Sequence, residues 1–572
     1  MWTKILLLFF VFSFLFKSDS SFNQDLGRHL KLGEMIVKTH QIPKTNLFSY
    51  TNPGFPFINT HWLFEVWAYF GKGAFGIEGL LFRKLIIVLL AVFIILKIIP
   101  KEKSSLLLPI GFIFLHVLRE RVELRPEIFS FLFTALSLFI LNKFCQMSHD
   151  RGTNDKSAWW LFLLPLIQLI WVNTHIYFFV GLILQAIYLI HLSYQQLRSH
   201  ISSGKLKLLV LVFGLSVITS LVNPNGLTGV LYPLSVSKNY GYTIVENQTM
   251  FFLENIKFSD PSFLFVKLSV SIVVLSLVVM AIKRQFEIKN ILLSLTGVAL
   301  ALLNVRSFPY LIFLSLPATL QNFPQIKKNQ FLTFLSTIFA ILLILESYFY
   351  LSGDYYRYRD EDKKPGLQSV ENGKKALDFV LSNDLPRPIY NNFDIGSYII
   401  YRGYPKYQVF VDGRPEAYPK DFFQQTYIPA QSDFGKFKDL ESKYQFKTII
   451  FSHTDQTPWA KQFLQSLFKD QSWKLVYIDN LMIVLVKEEV IKDKNLAIVD
   501  LSKLSPNQYN FSSHRDYLQL GLFLFSQNMA TGKLFIEKAL QLFPNSPAAN
   551  TIMAQFTADP TYASKSRNIF FW

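Results

Sequence analysis

Cysteine is nearly absent. Cys145 is the single cysteine in 572 residues, so neither a disulfide framework nor a cysteine metal site is available and structural zinc is not expected. Acidic residues are also in short supply, 40 Asp and Glu against 57 Lys and Arg, for a formal charge of +17. In a water-soluble chain that balance would point to a nucleic-acid partner. Here 51% of residues are hydrophobic, 16% are aromatic and mean hydropathy is positive, which is too apolar for a soluble protein of this size. The bilayer is the expected solvent, the basic residues belong to loops facing anionic lipid, and no nucleic-acid partner follows. No Walker loop and no serine nucleophile elbow occurs either, so nucleotide-driven transport and acyl-enzyme chemistry lack their usual support.

What the chain has is apolar runs. The first, from Ile5 to Phe16 after Lys4, reads as a retained helix, because Lys17-Ser-Asp-Ser-Ser is a poor signal-cleavage site. Others lie near 78–99, 104–118, 127–146, 158–172, 176–193, 206–222, 263–282, 290–303, 307–321 and 329–351. Several fall short of the roughly 20 residues that cross hydrocarbon upright. With Lys4 cytoplasmic, alternate links carry Lys101 and Lys103; Lys143, Arg151 and Lys156; Arg198, Lys205 and Lys207; Lys283, Arg284 and Lys289; and Lys327 and Lys328. That is the positive-inside pattern. It predicts an α-helical multi-pass protein of the plasma membrane with about eleven spans. Its N-terminus is cytoplasmic, its first outer loop is 17–77, and everything after residue 351 lies outside.

The opposite links gather the uncommon polar residues. Arg119, Arg121, Arg125 and Arg306 sit where the rule disfavours them, as an anion-binding site opening to the outer face would require. Pairing with Glu120, Glu123 and Glu127, or with lipid phosphate, is the plainer reading. In the first outer loop, residues 25–36 read as an amphipathic surface helix, with Leu26, Leu30, Met35 and Ile36 as apolar contacts. Asp25 and His29 are four apart and share a face, as do His61 and Glu65 further on. Sugar transfer to a hydroxyl needs a base for its proton and positive donors for the departing phosphate. Asp25 is the candidate base, although an N-cap is its commoner role. Arg119, Arg125 and Arg306 are candidate phosphate ligands. His29, His61, Glu65, Glu120, Asn173 and His175 complete the candidate substrate-binding set. No cofactor is required by these residues, and a divalent metal is left open.

Three pieces of the first outer loop carry a family likeness: Asp25-Leu-Gly-Arg-His29 with Gly33, Ile42-Pro with Thr45 and Phe48-Ser-Tyr50-Thr51, and Asn59 with Trp62-Leu and Glu65. So do Arg125-Pro-Glu-Ile-Phe-Ser130, Trp171-Val-Asn-Thr-His175, Asn223-Pro-Asn-Gly226, Asn304-Val-Arg306, and Phe410-Val-Asp412-Gly-Arg414 with Tyr418. Up to about residue 430 the chain resembles a bacterial family of polytopic proteins similar to the type C glycosyltransferase (GT-C) superfamily. That resemblance implies a many-helix bundle, a catalytic acidic residue in the first outer loop and a polyprenyl-phosphate sugar donor. Many such transferases show adjacent acidic residues there, whereas Gln24 and Leu26 flank Asp25.

The tail turns polar near Asp354. A linker over 352–365, a soluble α/β domain over 366–490 and a tetratricopeptide-like helical hairpin over 510–555 are expected. Asn391-Asn-Phe-Asp-Ile-Gly396-Ser-Tyr398 and Asp412-Gly-Arg414 fall at expected strand ends, where loops often bind ligands, but Asp412-Gly is also an ordinary turn dipeptide, the reading preferred. A lone hairpin cannot bury its own face, so it should pack on the preceding domain or on a protein partner. The function expected is transfer of a sugar from a polyprenyl-phosphate donor to an extracytoplasmic acceptor. A non-catalytic scaffold for cell-envelope assembly and a transporter are the alternatives.

Overall fold

The computed structural model describes residues 2–20, 25–146, 156–199, 203–235, 240–325, 329–557 and 559–566. Arg151, Lys327 and Lys328 lie outside the described residues. Every apolar run noted above is helical wholly or in part: α1 (Trp2–Leu15), α3 (Trp62–Ile98), α4 (Ser104–His116), α5 (Glu127–Gln146), α6 (Leu163–Thr174), α7 (Phe179–Ser199) and α8 (Ser203–Ser220), then further helices to Ser352. Among the described residues, five helices are long and apolar enough to cross a bilayer: Trp62–Ile98, Glu127–Gln146, Ile176–Arg198, Ser262–Ile282 and Gln330–Ser352. Their outward faces bare Phe331, Phe334, Ile341 and Leu345 among others, an apolar surface that suits lipid and not water. The chain is an integral membrane protein.

Two expectations change. The stretch 62–77 is not loop, because Phe64, Ala68 and Gly71 recur at helical spacing and bury, which draws α3 back to Trp62. The helix kinks at Phe75 and Gly76, where Gly76 takes φ 67°. Residues 307–321 form no straight span: a π turn, Leu311–Ser315, leads into Leu316–Asn322, and both are buried among the other helices.

The amphipathic helix of the first outer loop, α2 (Leu26–Thr39), forms as read but does not float on a lipid surface. It buries Leu26, Leu30, Leu32 and Ile36, chiefly against α3 and the tail helix Phe393–Gly403. The approach is close at Gly33, where an added Cβ would stand 2.1 Å from the Glu65 carbonyl oxygen. Gly33→Ala should push α2 off α3 and cost about 1–3 kcal/mol. A lowered Tm in nanodiscs would report it.

In the tail, β1 (Ile389–Asn391), β2 (Thr448–Ser452), β3 (Trp473–Ile478) and β4 (Met482–Lys487) form one mixed sheet in the order β1-β2-β4-β3. β1 runs parallel to β2, and β4 is antiparallel to both its neighbours. The β-branched run Thr448-Ile-Ile is central and buried throughout, as a strand covered on both faces requires.

The Asp412-Gly-Arg414 segment is no surface turn. Asp412 and Arg414 are buried and paired twice: Arg414 Nε donates to Asp412 Oδ1 at 2.7 Å and Nη2 to Oδ2 at 2.8 Å. Tyr418 OH donates to the same carboxylate at 2.8 Å, and Arg414 Nη2 reaches Asn46 Oδ1 at 3.0 Å. The guanidinium lies 4.9 Å from the ring centres of both Phe48 and Phe57. Around it Ser49 and Thr51 donate to the Phe410 carbonyl and Tyr50 OH to that of Ile389. Two distant sequence motifs are therefore one clamp that fastens the first outer loop to the tail. The C-terminal helices His514–Ser526 and Gly532–Leu542 pack on the same tail core through Leu518, Phe523 and Phe535, and a third, Pro547–Thr557, follows them. Asp360 of the linker accepts from His514, Ser546 and the Ala548 backbone.

Candidate active site

The clamp and the packing of α2 leave a cavity of about 580 Å³ between the tail and the ends of the apolar helices that face it. Its membrane-side wall carries Asp25, Arg28, His29, His61, Arg125, Glu127, His175, Glu246 and Arg306. The tail side adds Phe393, Asp394, Glu416, Ser452, Thr454 and the C-terminal helix residues Arg515 and Gln519.

Asp25 takes the N-cap position of α2 without capping it, which leaves its carboxylate to other partners. Arg28 Nη2 lies 3.0 Å from Oδ1 and Arg125 Nε lies 3.7 Å from Oδ2. Burial opposes the charge, but Arg28, Arg125 and Arg306 together outweigh it and hold Asp25 below its ordinary value, ionised at neutral pH. Arg28 Nε, buried in the cavity wall, has no hydrogen-bond partner among the described residues.

The other arginines converge on a residue the sequence did not single out. Glu246 receives Arg125 Nη1 at 2.7 Å, Arg306 Nη2 at 2.9 Å and Arg121 Nη1 at 3.4 Å. Arg306 also pairs with Glu127 at 2.9 Å, and Arg125 with Glu123 at 3.0 Å. The pairing reading of these arginines thus describes part of what they do, with Glu246 as the chief partner. No local spacing signals it, since Glu246 meets these partners across 60 residues of chain or more.

Three imidazoles line the cavity side by side. His61 stands 5.8 Å from His29 and 5.6 Å from His175, ring centre to ring centre. His29 donates from Nδ1 to Glu65 at 3.1 Å, and Glu65 also accepts from Asn59. His175 Nδ1 meets the Ser130 hydroxyl, which accepts from Trp171 Nε1, so Arg125–Ser130 and Trp171–His175 are one hydrogen-bonded knot. Asn304, two residues before Arg306, accepts from Ser307 and from the Tyr177 hydroxyl.

Burial first, then Arg28 and Arg306, push His61 down to about 3. Burial with neighbouring positive groups depresses His29 and His175 well below 6.5 as well. In the unfolded chain these rings take protons near 6.5; in the folded one they refuse them. Stability should therefore be lost as pH falls below about 6.5, whereas the depressed Asp25 loses its contribution only below 3.8. Tm in nanodiscs is expected to fall between about pH 7 and pH 5, with a shallower slope in His61→Asn.

Four residues of the expected set are not brought to the cavity. Arg119 is buried against Glu120, Glu346, Tyr350 and the Tyr355 ring, where it ties α4 to the helix Gln330–Ser352. Glu120 faces Arg119 and Lys363. Asn173 accepts from Trp62 Nε1 at 2.8 Å and donates to the Val222 carbonyl, a tie between helix ends. Glu65 stands behind His29 and orients it. Neighbours in sequence point to different sides of a turn, so Arg119 and Arg125 part company despite one short loop. Among the described residues no three His, Cys, Asp or Glu side chains are grouped to hold a metal ion.

No family model and no curated protein matches the sequence. Solved structures do. The oligosaccharyltransferase of Archaeoglobus fulgidus in its apo form superposes with a TM-score of 0.51 at 11% identity, over 95% of this chain and 86% of that one. The same enzyme tethered to an acceptor peptide containing the NVT sequon gives 0.51 at 12% identity over the same shares. Its complex with an inhibitory peptide and a dolichol-phosphate gives 0.49 at 11%. This chain shares that fold. The likeness covers 95% of this chain, so it takes in the tail as well as the membrane helices.

Proposed function

We propose that the protein is a membrane glycosyltransferase that moves a sugar from a polyprenyl-phosphate donor to an acceptor outside the cytoplasm. The orientation has the N-terminus cytoplasmic, residues 1–351 as the membrane domain and the tail from 366 outside. The observation that carries this reading is an ionised Asp25 set between Arg28 and Arg125 in a cavity that membrane helices and tail share. The fold held in common with an oligosaccharyltransferase supports it.

In the reaction proposed, the acceptor hydroxyl hydrogen-bonds to Asp25, which takes its proton as the anomeric bond breaks. A carboxylate held below its ordinary value is a weak base, which suffices where the proton leaves late, after that bond has stretched. The leaving phosphate gathers negative charge and is held by Arg28, whose Nε is unpartnered, and by Arg306 and Arg125 as they loosen from Glu246. The neutral imidazoles of His29, His61 and His175 hold the sugar by hydrogen bonds without adding charge.

Purified protein in nanodiscs, given radiolabelled sugars on a panel of polyprenyl-phosphate donors with and without chelator, tests the reading. Donor consumption by the wild type and its loss in Asp25→Asn is the result expected. No donor bound or consumed by either form would instead favour the non-catalytic scaffold.

A further inference from the structure

We infer that the tail-side half of the cavity is an acceptor subsite for a saccharide, and that Arg515 and Gln519 of the C-terminal helices select it. The inference rests on the transferase reading and names that site's acceptor class. Arg515 and Gln519 are four apart, on one face of the helix His514–Ser526, and both line the cavity that holds Asp25. The helix is bolted in place: Arg515 Nη1 pairs with Asp362 at 3.0 Å, Asp516 accepts from Asn480 at 2.7 Å, and His514 pairs with Asp360 at 3.0 Å. Besides packing on the tail core, the helix thus gives Arg515 and Gln519 to the cavity wall.

The wall's chemistry points to hydroxyls. The same cavity is lined by Ser452 and Thr454, whose hydroxyls lie 3.0 Å apart, and by Asp394. The Gln519 amide makes no hydrogen bond to the protein among the described residues. Each sugar hydroxyl both donates and accepts, so a mixed wall of amide, guanidinium, carboxylate and hydroxyl can satisfy several at once. The rings of Phe393 and Tyr240, which also border the cavity, suit the C–H face of a pyranose. A peptide taken up by strand addition would need a free sheet edge at the cavity. The edge strands β1 and β3 contribute no lining residue among those described.

Equilibrium binding of radiolabelled short β-linked gluco- and galacto-oligosaccharides to the full protein in nanodiscs tests this, alongside an Asn-x-Thr peptide as competitor. The wild type should bind a saccharide, and Arg515→Gln and Gln519→Ala should each weaken that binding by about tenfold, with Tm unchanged in Gln519→Ala. Because Gln519→Ala removes no hydrogen bond to the protein among the described residues, it stays informative if Arg515→Gln unfolds the helix. Absence of saccharide binding, binding unmoved by Gln519→Ala, or displacement of the saccharide by the peptide would overturn the subsite. Donor turnover is measured separately: saccharide binding without donor consumption would refute the transferase reading and leave the saccharide site standing.

Discussion

Asp25→Asn is expected to lower the turnover number by a factor of roughly a hundred to ten thousand, the range for losing a general base. Asparagine keeps the shape of the side chain and the N-cap position of α2 while removing the charge. Arg28 and Arg125 then lose a counter-ion 3.0 and 3.7 Å away, and both face the cavity. Arg125 keeps Glu123 and Glu246, but with one negative charge fewer beside them the two guanidiniums should hold a donor phosphate at least as tightly as before. The variant should therefore show a collapsed kcat with a donor KM unchanged or lowered, a pattern that simple damage to the binding site does not produce. Glu246→Gln makes the contrast. It takes one counter-charge from Arg121, Arg125 and Arg306, which keep Asp260, Glu123 with Asp25, and Glu127 respectively, so donor affinity should rise while the Asp25 carboxylate stays in place. A turnover number that stays at the wild-type value in Asp25→Asn would reduce Asp25 to an ion-pair partner of Arg28.

The second large effect is structural. Asp412→Asn should cost about 3–5 kcal/mol, because it strands the Arg414 guanidinium without its counter-charge in a site with almost no solvent. Arg414 is 1% exposed and Asp412 0%. The loss should fall on the joint between the first outer loop and the tail, since Arg414 also holds Asn46 and lies between Phe48 and Phe57. Protease nicking within residues 40–58 and a lower Tm are the readouts. Replacing both partners, as Asp412→Asn with Arg414→Met, should recover much of the loss, because an apolar side chain between two rings leaves no charge to desolvate. A double variant as unstable as the single one would mean that Arg414's hydrogen bond to Asn46 matters more than its charge.

The sequence by itself determined what depends on local composition. Hydropathy is a sum over neighbours, so the apolar helices, the amphipathic α2 and the polar turn at Asp354 could all be read from windows of the chain. The positions of Asp25, His29, His61, His175, Arg125 and Arg306 around one cavity were anticipated for a related reason: their loops alternate with apolar runs, and alternation collects them on one face of the membrane. Only the tertiary structure decided which of them meet. Glu246 at the centre of three guanidiniums, Arg119 and Glu120 turned away to Glu346 and Lys363, Asp412 clamped by Arg414 against Phe48, and Arg515 and Gln519 on the cavity wall are all contacts between distant segments. An ion pair is decided by a separation of a few ångströms. That separation is set by how helices and tail pack, and no window of sequence contains it.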